Sequence, residues 1–416
     1  MFVWGRKVLQ YCSSHKYVDL DLIRYHALGA EYLMQSEMLQ AASQTISNAA
    51  QLAMLVRLND QRAWKQLPEH EVHDRKTLWW VVYFLDRKIA QRIGGPYCIR
   101  ENEMAVSEFN FGLPLASPRV RTQNYIQALA NLAKLWTKIW DSFFSTAAPK
   151  PADSREIEVM NTRILVAQRE LPGELTWNTA LLDNTYIFQG ETEPQIRRRL
   201  SIFIRLNLLR LTIRQNPLHK TDQNSLSQNL CVSLASQVID AIAAFTDSIA
   251  NIEPCGFFFS TALVECIYHL IFAIQRNPPE AERTSGVDSL KRSYQLLVRF
   301  SRTLNTAKRA IRALGLAMSA PRHNANNVHD THTCNVDQSN NELLNTIDPI
   351  NIGASHSDNT TQQHYGSLED TSLFAFFDGT AEDFQYNDTQ DQILPDIGSG
   401  LELWDMLHYD LGGASD

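Results

Sequence analysis

The last lysine or arginine in this chain is Arg322, and the 94 residues beyond it hold 17 acids. A segment with one sign of charge has no counter-charges of its own, which sets it apart from what precedes it. The first 322 residues hold the other 29 of the 46 acids against all 38 bases, a net of +9. The chain therefore divides into a basic body and an acidic tail, the organisation expected of an interaction tail on a separate folded body.

The body reads as all-α. Gly (17) and Pro (15) are scarce for 416 residues, and no strand alternation appears. Apolar residues recur at steps of three or four over 25–58, with a break near Ser36 that suggests a helical hairpin. Similar patterns cover 75–96, 122–145, 154–170, 194–214, 226–250, 256–275 and 286–316, and 99–120 reads as an extended loop. In the 194–214 helix, Ile202, Leu206 and Ile213 make one face, with Arg198, Arg205 and Leu209 off it. We expect a multi-helix domain over 1–320, a polar disordered linker over 321–366 and an acidic-hydrophobic segment over 367–416.

In that last segment acids alternate with large apolar side chains, the composition of disordered activation segments. "SLFAFFD" supplies Phe374, Phe376 and Phe377. In "LELWDMLHYDL", Leu401, Trp404, Leu407 and Leu411 share a face if the segment winds into a helix, the geometry for docking in a partner's groove. The expected partners are coactivator or mediator proteins. A tail that only solubilises would have little need for so many aromatic anchors.

Within the body, "RKTLWWVVYFLDRKIAQRIGGP" (75–96) is the most specific stretch. Asp74 is its expected N-cap. Leu78, Val82, Leu85 and Ile89 form a stripe that Trp79 and Tyr83 widen. Gly94 is placed for a left-handed helix end and Pro96 stops further winding. Asp86, close in sequence to Arg75, Arg87 and Arg92, is expected in a buried or half-buried ion pair rather than in acid–base chemistry. The order Arg75, Leu78-Trp79-Trp80, Tyr83, Leu85-Asp86-Arg87, Arg92, Gly94 and Pro96 resembles the signature of the fungal-specific transcription factor domain. That domain is the regulatory region that usually follows a zinc binuclear-cluster DNA-binding domain. "AASQTISNAAQLAMLVRLN" (42–59) is similar to the family's preceding helix, with Arg57-Leu58-Asn59 replacing its "GLH"-like turn. "IRLNLLRLTIRQNPL" (204–218) and "CGFFFSTALVECIYHLI" (255–271) are similar to later helices, so the likeness extends over about 1–315.

The resemblance implies a nuclear transcriptional regulator, read here as an activator of a metabolic or secondary-metabolite gene set, with a homodimer as one assembly. The zinc cluster needs six closely spaced cysteines, and only Cys12 occurs in the first ninety residues. Zinc and promoter DNA are thus expected only through a missing domain or a partner, and no cofactor is expected in this chain.

Other readings are weaker. The six cysteines form no Cys-x-x-Cys pair, and no phosphate-cradling loop or nucleophile elbow is present, so no enzyme is expected. His70 and His73 have a ligand-like spacing with no other ligand nearby, and His329, Asp330, His332 and Cys334 offer ligands in what otherwise reads as a polar linker. Arg197–Arg199 and the run Arg299, Arg302, Lys308, Arg309 and Arg312 read as solvated faces, or as contacts for phosphate or the acidic tail. The N-terminus lacks a signal-peptide core. The apolar stretch 256–274 is the basis of the competing reading, a membrane- or lipid-associated helical protein or enzyme. Glu265 at its centre disfavours membrane insertion, and His269, one turn on, is within reach to pair with it.

Overall fold

The computed structural model describes residues 19–109, 118–148, 154–177, 192–214, 225–248, 255–275 and 280–319. Their regular structure is helical: ten α-helices, a few single turns and one isolated parallel bridge between Asp60 and Ala105. The expected all-α class holds. The linker 321–366 and the segment 367–416, with Phe374, Phe376, Phe377, Leu401, Trp404, Leu407 and Leu411, lie outside the described residues.

The first two helices, α1 (Leu20–Gln35) and α2 (Leu39–Leu55), form the hairpin that the break near Ser36 suggested. Each ends in a left-handed residue that is not glycine, Glu37 (φ 64°) after α1 and Arg57 (φ 54°) after α2. The turns hold because paired bonds close them: Met38 N–H to Leu33 O and Glu37 N–H to Met34 O, then Leu58 N–H to Ala53 O and Arg57 N–H to Met54 O. Arg57 stands where the resembled family's turn has its glycine, so it meets a steric cost of roughly 1–2 kcal/mol that glycine avoids. Packing offsets that cost. Leu58 is fully buried, and the Trp64 indole donates to the Arg57 carbonyl at 3.0 Å.

Helix α3 (Glu69–Ile93) starts five residues before the expected cap at Asp74. Pro68 occupies the N-cap, and Glu69 and Glu71 place negative charge in the first turn, where the helix dipole favours it. The expected stop is correct: Gly94 is left-handed (φ 71°, ψ 28°), and the amides of Gly94 and Gly95 donate to Ala90 O. From Thr77 to Arg87 every residue is buried, so α3 runs through the core and does not lie on it. Helix α4 (Pro118–Ile139) packs beside it and unwinds into a π-turn over Trp140–Phe144, where the Trp136, Trp140 and Phe144 rings lie together. Helix α5 (Ser154–Arg169) matches its expected limits closely.

Helix α6 (Glu193–Thr212) explains why simple amphipathicity fails for this segment. Ile202, Leu206, Leu209 and Ile213 join a first core with α1–α5. Ile196, Leu200, Phe203, Ile204, Leu208 and Leu211 join a second core. Leu209 therefore belongs with Ile202 and Leu206, contrary to the face drawn from the sequence. A helix buried on two sides has no polar half to locate. The second core is built by α7 (Ser225–Ser248), α8 (Gly256–Gln275), α9 (Glu280–Phe300) and α10 (Asn305–Ser319). The pattern read as one helix over 286–316 is two, broken at 301–304. The amide of Thr306 at the start of α10 donates to Glu37 Oε1 at 2.6 Å, and Arg309 reaches Glu37 Oε2 at 3.0 Å. The strained α1–α2 turn thus also caps a helix nearly 270 residues away.

Among the described residues two helices, over Asn229–Ser248 and Gly256–Ile274, are long and apolar enough to cross a membrane. Both are mostly buried against their neighbours in the second core.

Candidate functional site

The signature residues come together as a clip between α3 and the segment that returns along it. Asp86 accepts the amides of Cys98 (2.9 Å) and Ile99 (2.9 Å). Arg87 pairs with Asp86 at 2.7 Å and donates to Ile99 O and to Thr137 Oγ1 of α4. One turn back, the Tyr83 hydroxyl donates to Glu101 Oε1; burial raises its pKa, so it stays protonated and can donate. Another turn back, Trp80 donates its indole N–H to Ser107 O at 3.2 Å, and Lys76 reaches Glu108 O. Steps of three and four along α3 thus meet successive points on 98–108, which runs antiparallel to it. The Arg87 guanidinium also lies between the rings of Tyr83 (3.9 Å) and Tyr97 (4.3 Å).

Asp86 and Arg87 are 2 % and 1 % exposed, so the pair is desolvated and every one of its bonds is structural. The expected ion pair is present, with Arg87 as the partner cation. What the sequence did not disclose is the pair of backbone amides that Asp86 also holds. Leu78, Trp79 and Leu85 are fully buried anchors of the first core. Arg75 is half-buried, and Pro96 is exposed beyond the helix stop.

Arg92 leads to a second feature. It lines a cavity of about 90 Å³ bounded by α1, α3, α4, α6 and α8. Phe84, Trp136, Phe257 and Phe258 form much of its apolar wall, and Lys88, Arg92, Arg205, Thr212 and Glu265 its polar one. Lys88 is held by both oxygens of Glu31, at 2.7 and 2.8 Å. Glu265 accepts from Thr212 Oγ1 at 2.7 Å. Desolvation by burial pushes its pKa up to about 7 against the opposing pull of Thr212 and Arg92. Burial likewise brings Arg92 down to about 10, against the attraction of Glu265 and Glu37. The Glu265–His269 pair within reach in sequence is therefore replaced: Thr212 and Arg92 attend Glu265. His269 is buried with no partner for Nε2 among the described residues, and burial, aided by Arg214, lowers its pKa to about 3.

The remaining candidates have structural partners. His73 meets Gln123 and Thr77 rather than a ligand set with His70. No cluster of three metal-ligating side chains occurs among the described residues, and His329, Asp330, His332 and Cys334 lie outside them. Arg197 pairs with Glu193, Arg198 stands over Tyr125 and Arg199 bonds Glu174 O. Arg302, Lys308 and Arg312 remain exposed on the surface.

The described body is all-helical and organised around the signature helix α3. Residues 24–163 match the family model described as the fungal specific transcription factor domain, which confirms the resemblance over that span. The match runs from α1 into α5 and contains the whole clip; the likeness seen at 204–218 and 255–271 lies beyond it. No curated protein and no solved structure matches the chain.

Proposed function

We propose that this chain is a nuclear transcriptional activator in which the helical body receives a signal and the acidic segment 367–416 recruits coactivator or mediator proteins. The observation that carries this reading is the match of residues 24–163 to the fungal transcription factor domain. The tail composition supports it: aromatic and leucine anchors set among acids, without a lysine or arginine after Arg322. In this reading promoter DNA is reached through a zinc-cluster domain or a partner, as the resemblance implies for a chain with only Cys12 in its first ninety residues. A metabolic or secondary-metabolite gene set is the expected target.

Fusing residues 367–416 to an unrelated DNA-binding domain should activate a reporter. Replacing Trp404 and Leu407 by Ala should reduce that activity several-fold, because it removes two anchors of the docking face. An expressed fusion that gives no activation would remove the tail from this reading. Full activity of the double variant would show that the face is misassigned.

A further inference from the structure

The cations that line the cavity between the two cores are already engaged. Arg87 is paired with Asp86 and Lys88 with Glu31. Arg205 donates to Ser201 Oγ at 3.3 Å and lies over the rings of Phe84 and Phe258. Arg92 lies 5.5 Å from the Phe257 centroid and is attracted by Glu265 and Glu37. An anion entering the cavity meets no uncommitted cation, and a cation meets four groups of its own sign. Glu265 is served differently. Among the described residues its one hydrogen bond is with Thr212 Oγ1, at 2.7 Å on Oε1. That hydroxyl also donates to Leu208 O at 2.8 Å, so its single proton is shared between two acceptors. A carboxylate offers about four lone-pair sites, which leaves Glu265 the group on the lining that is short of a partner.

We infer that the cavity binds a small uncharged alcohol or phenol, its hydroxyl on Glu265 and its apolar body against Phe84, Trp136 and Phe257. A hydroxyl both donates and accepts, so it bonds Glu265 as a carboxylate or as an acid. Both forms are present near neutrality, because burial raises the pKa of this side chain to about 7. A ketone or an ether only accepts, and a hydrocarbon does neither. An amide brings a second polar group that an aromatic wall leaves unsatisfied. The volume of about 90 Å³ sets the size: at roughly 10–15 Å³ for each water-sized sphere, it takes a molecule of about six to nine non-hydrogen atoms. The lining combines α3 and α4 of the first core with α6 and α8, which carry much of the second, so an occupant touches both. This rests on the regulatory reading and gives its signal a chemical class.

The test uses the purified full chain, with phenol and benzyl alcohol as probes and toluene, benzoate and benzylamine as controls. Titration calorimetry and thermal shift should show the two hydroxyl compounds binding about fivefold tighter than toluene, the worth of one neutral hydrogen bond. Benzoate and benzylamine should bind roughly tenfold or more weaker than benzyl alcohol, because each must bury a charge without a counter-charge. Glu265→Leu should bring benzyl alcohol down to the affinity of toluene. Ala133→Met, which fills the cavity from α4, should abolish binding of every probe. If that variant fails to fold, Glu265→Leu keeps the test decisive, since a leucine in place of a buried acid suits the apolar helix around it. Toluene, benzoate or benzylamine binding as tightly as benzyl alcohol would overturn the inference. So would an undiminished alcohol preference in Glu265→Leu, undiminished binding by folded Ala133→Met, or no binding of either hydroxyl compound. None of these outcomes depends on transcription, so this assay and the reporter assay can fail separately.

Discussion

Asp86→Ala should cost about 3–5 kcal/mol of stability, the usual penalty for leaving one member of a buried ion pair uncompensated. Its carboxylate meets Arg87 and the amides of Cys98 and Ile99, so the substitution strands a buried cation and two donors at once. Chemical denaturation read by tryptophan fluorescence measures the loss directly, since Trp79 and Trp80 lie one to two turns away on α3. Asp86→Asn, which keeps an acceptor for the amides, should lose less. In a cycle with Arg87→Met, the double variant should be more stable than the sum of the single losses predicts. A loss under about 1 kcal/mol for Asp86→Ala would mean that the clip does not hold the segment after α3.

The second large effect is a pair of opposed pH dependences on α8. Glu265 has its folded pKa raised to about 7 from the ordinary 4.5, so its contribution to stability is full below 4.5 and is lost as pH rises through 7. His269 has its folded pKa depressed to about 3 from 6.5, so its contribution is full above 6.5 and is lost as pH falls toward 3. Between pH 4.5 and 6.5 the two slopes, each about 1.4 kcal/mol per pH unit, have opposite signs and cancel. The stability of Glu265→Gln relative to the wild-type chain should therefore climb from pH 4.5 to 7. The relative stability of His269→Leu should climb in the other direction, from pH 6.5 toward 3. Taking differences from the wild-type chain removes the contribution of every other titrating group, including His26, whose pKa burial also lowers. Differences that stay flat with pH would show that neither side chain is desolvated as described.

Much of this architecture was legible because local rules carry it. The spacing of Leu78, Val82, Leu85 and Ile89 located α3, and a glycine at 94 before a proline at 96 located its end. The start of α3 was misplaced because Pro68 leaves no side-chain cap to recognise. The break between α9 and α10 has neither glycine nor proline; tertiary contacts at Glu37 set the start of α10. The family signature was visible as a string, but its cause was not. Residues 76, 80, 83, 86 and 87 are a zipper for 98–108, and, apart from the Tyr83–Glu101 pair, half of each bond is a backbone group that no sequence pattern displays. The cavity was beyond reach for a similar reason. Its polar groups come from positions as distant as Lys88 and Glu265, and only folding brings them together.

A chain that regulates transcription must be held at promoters. Chromatin immunoprecipitation of the tagged full chain, in the cells that express it, measures this. Enrichment is expected at a discrete set of promoters, whether the DNA reader belongs to this polypeptide or to a partner. Uniform background across the genome, with the chain well expressed and recovered in a salt-resistant membrane fraction, would contradict it and return the apolar helix α8 to the centre of its function.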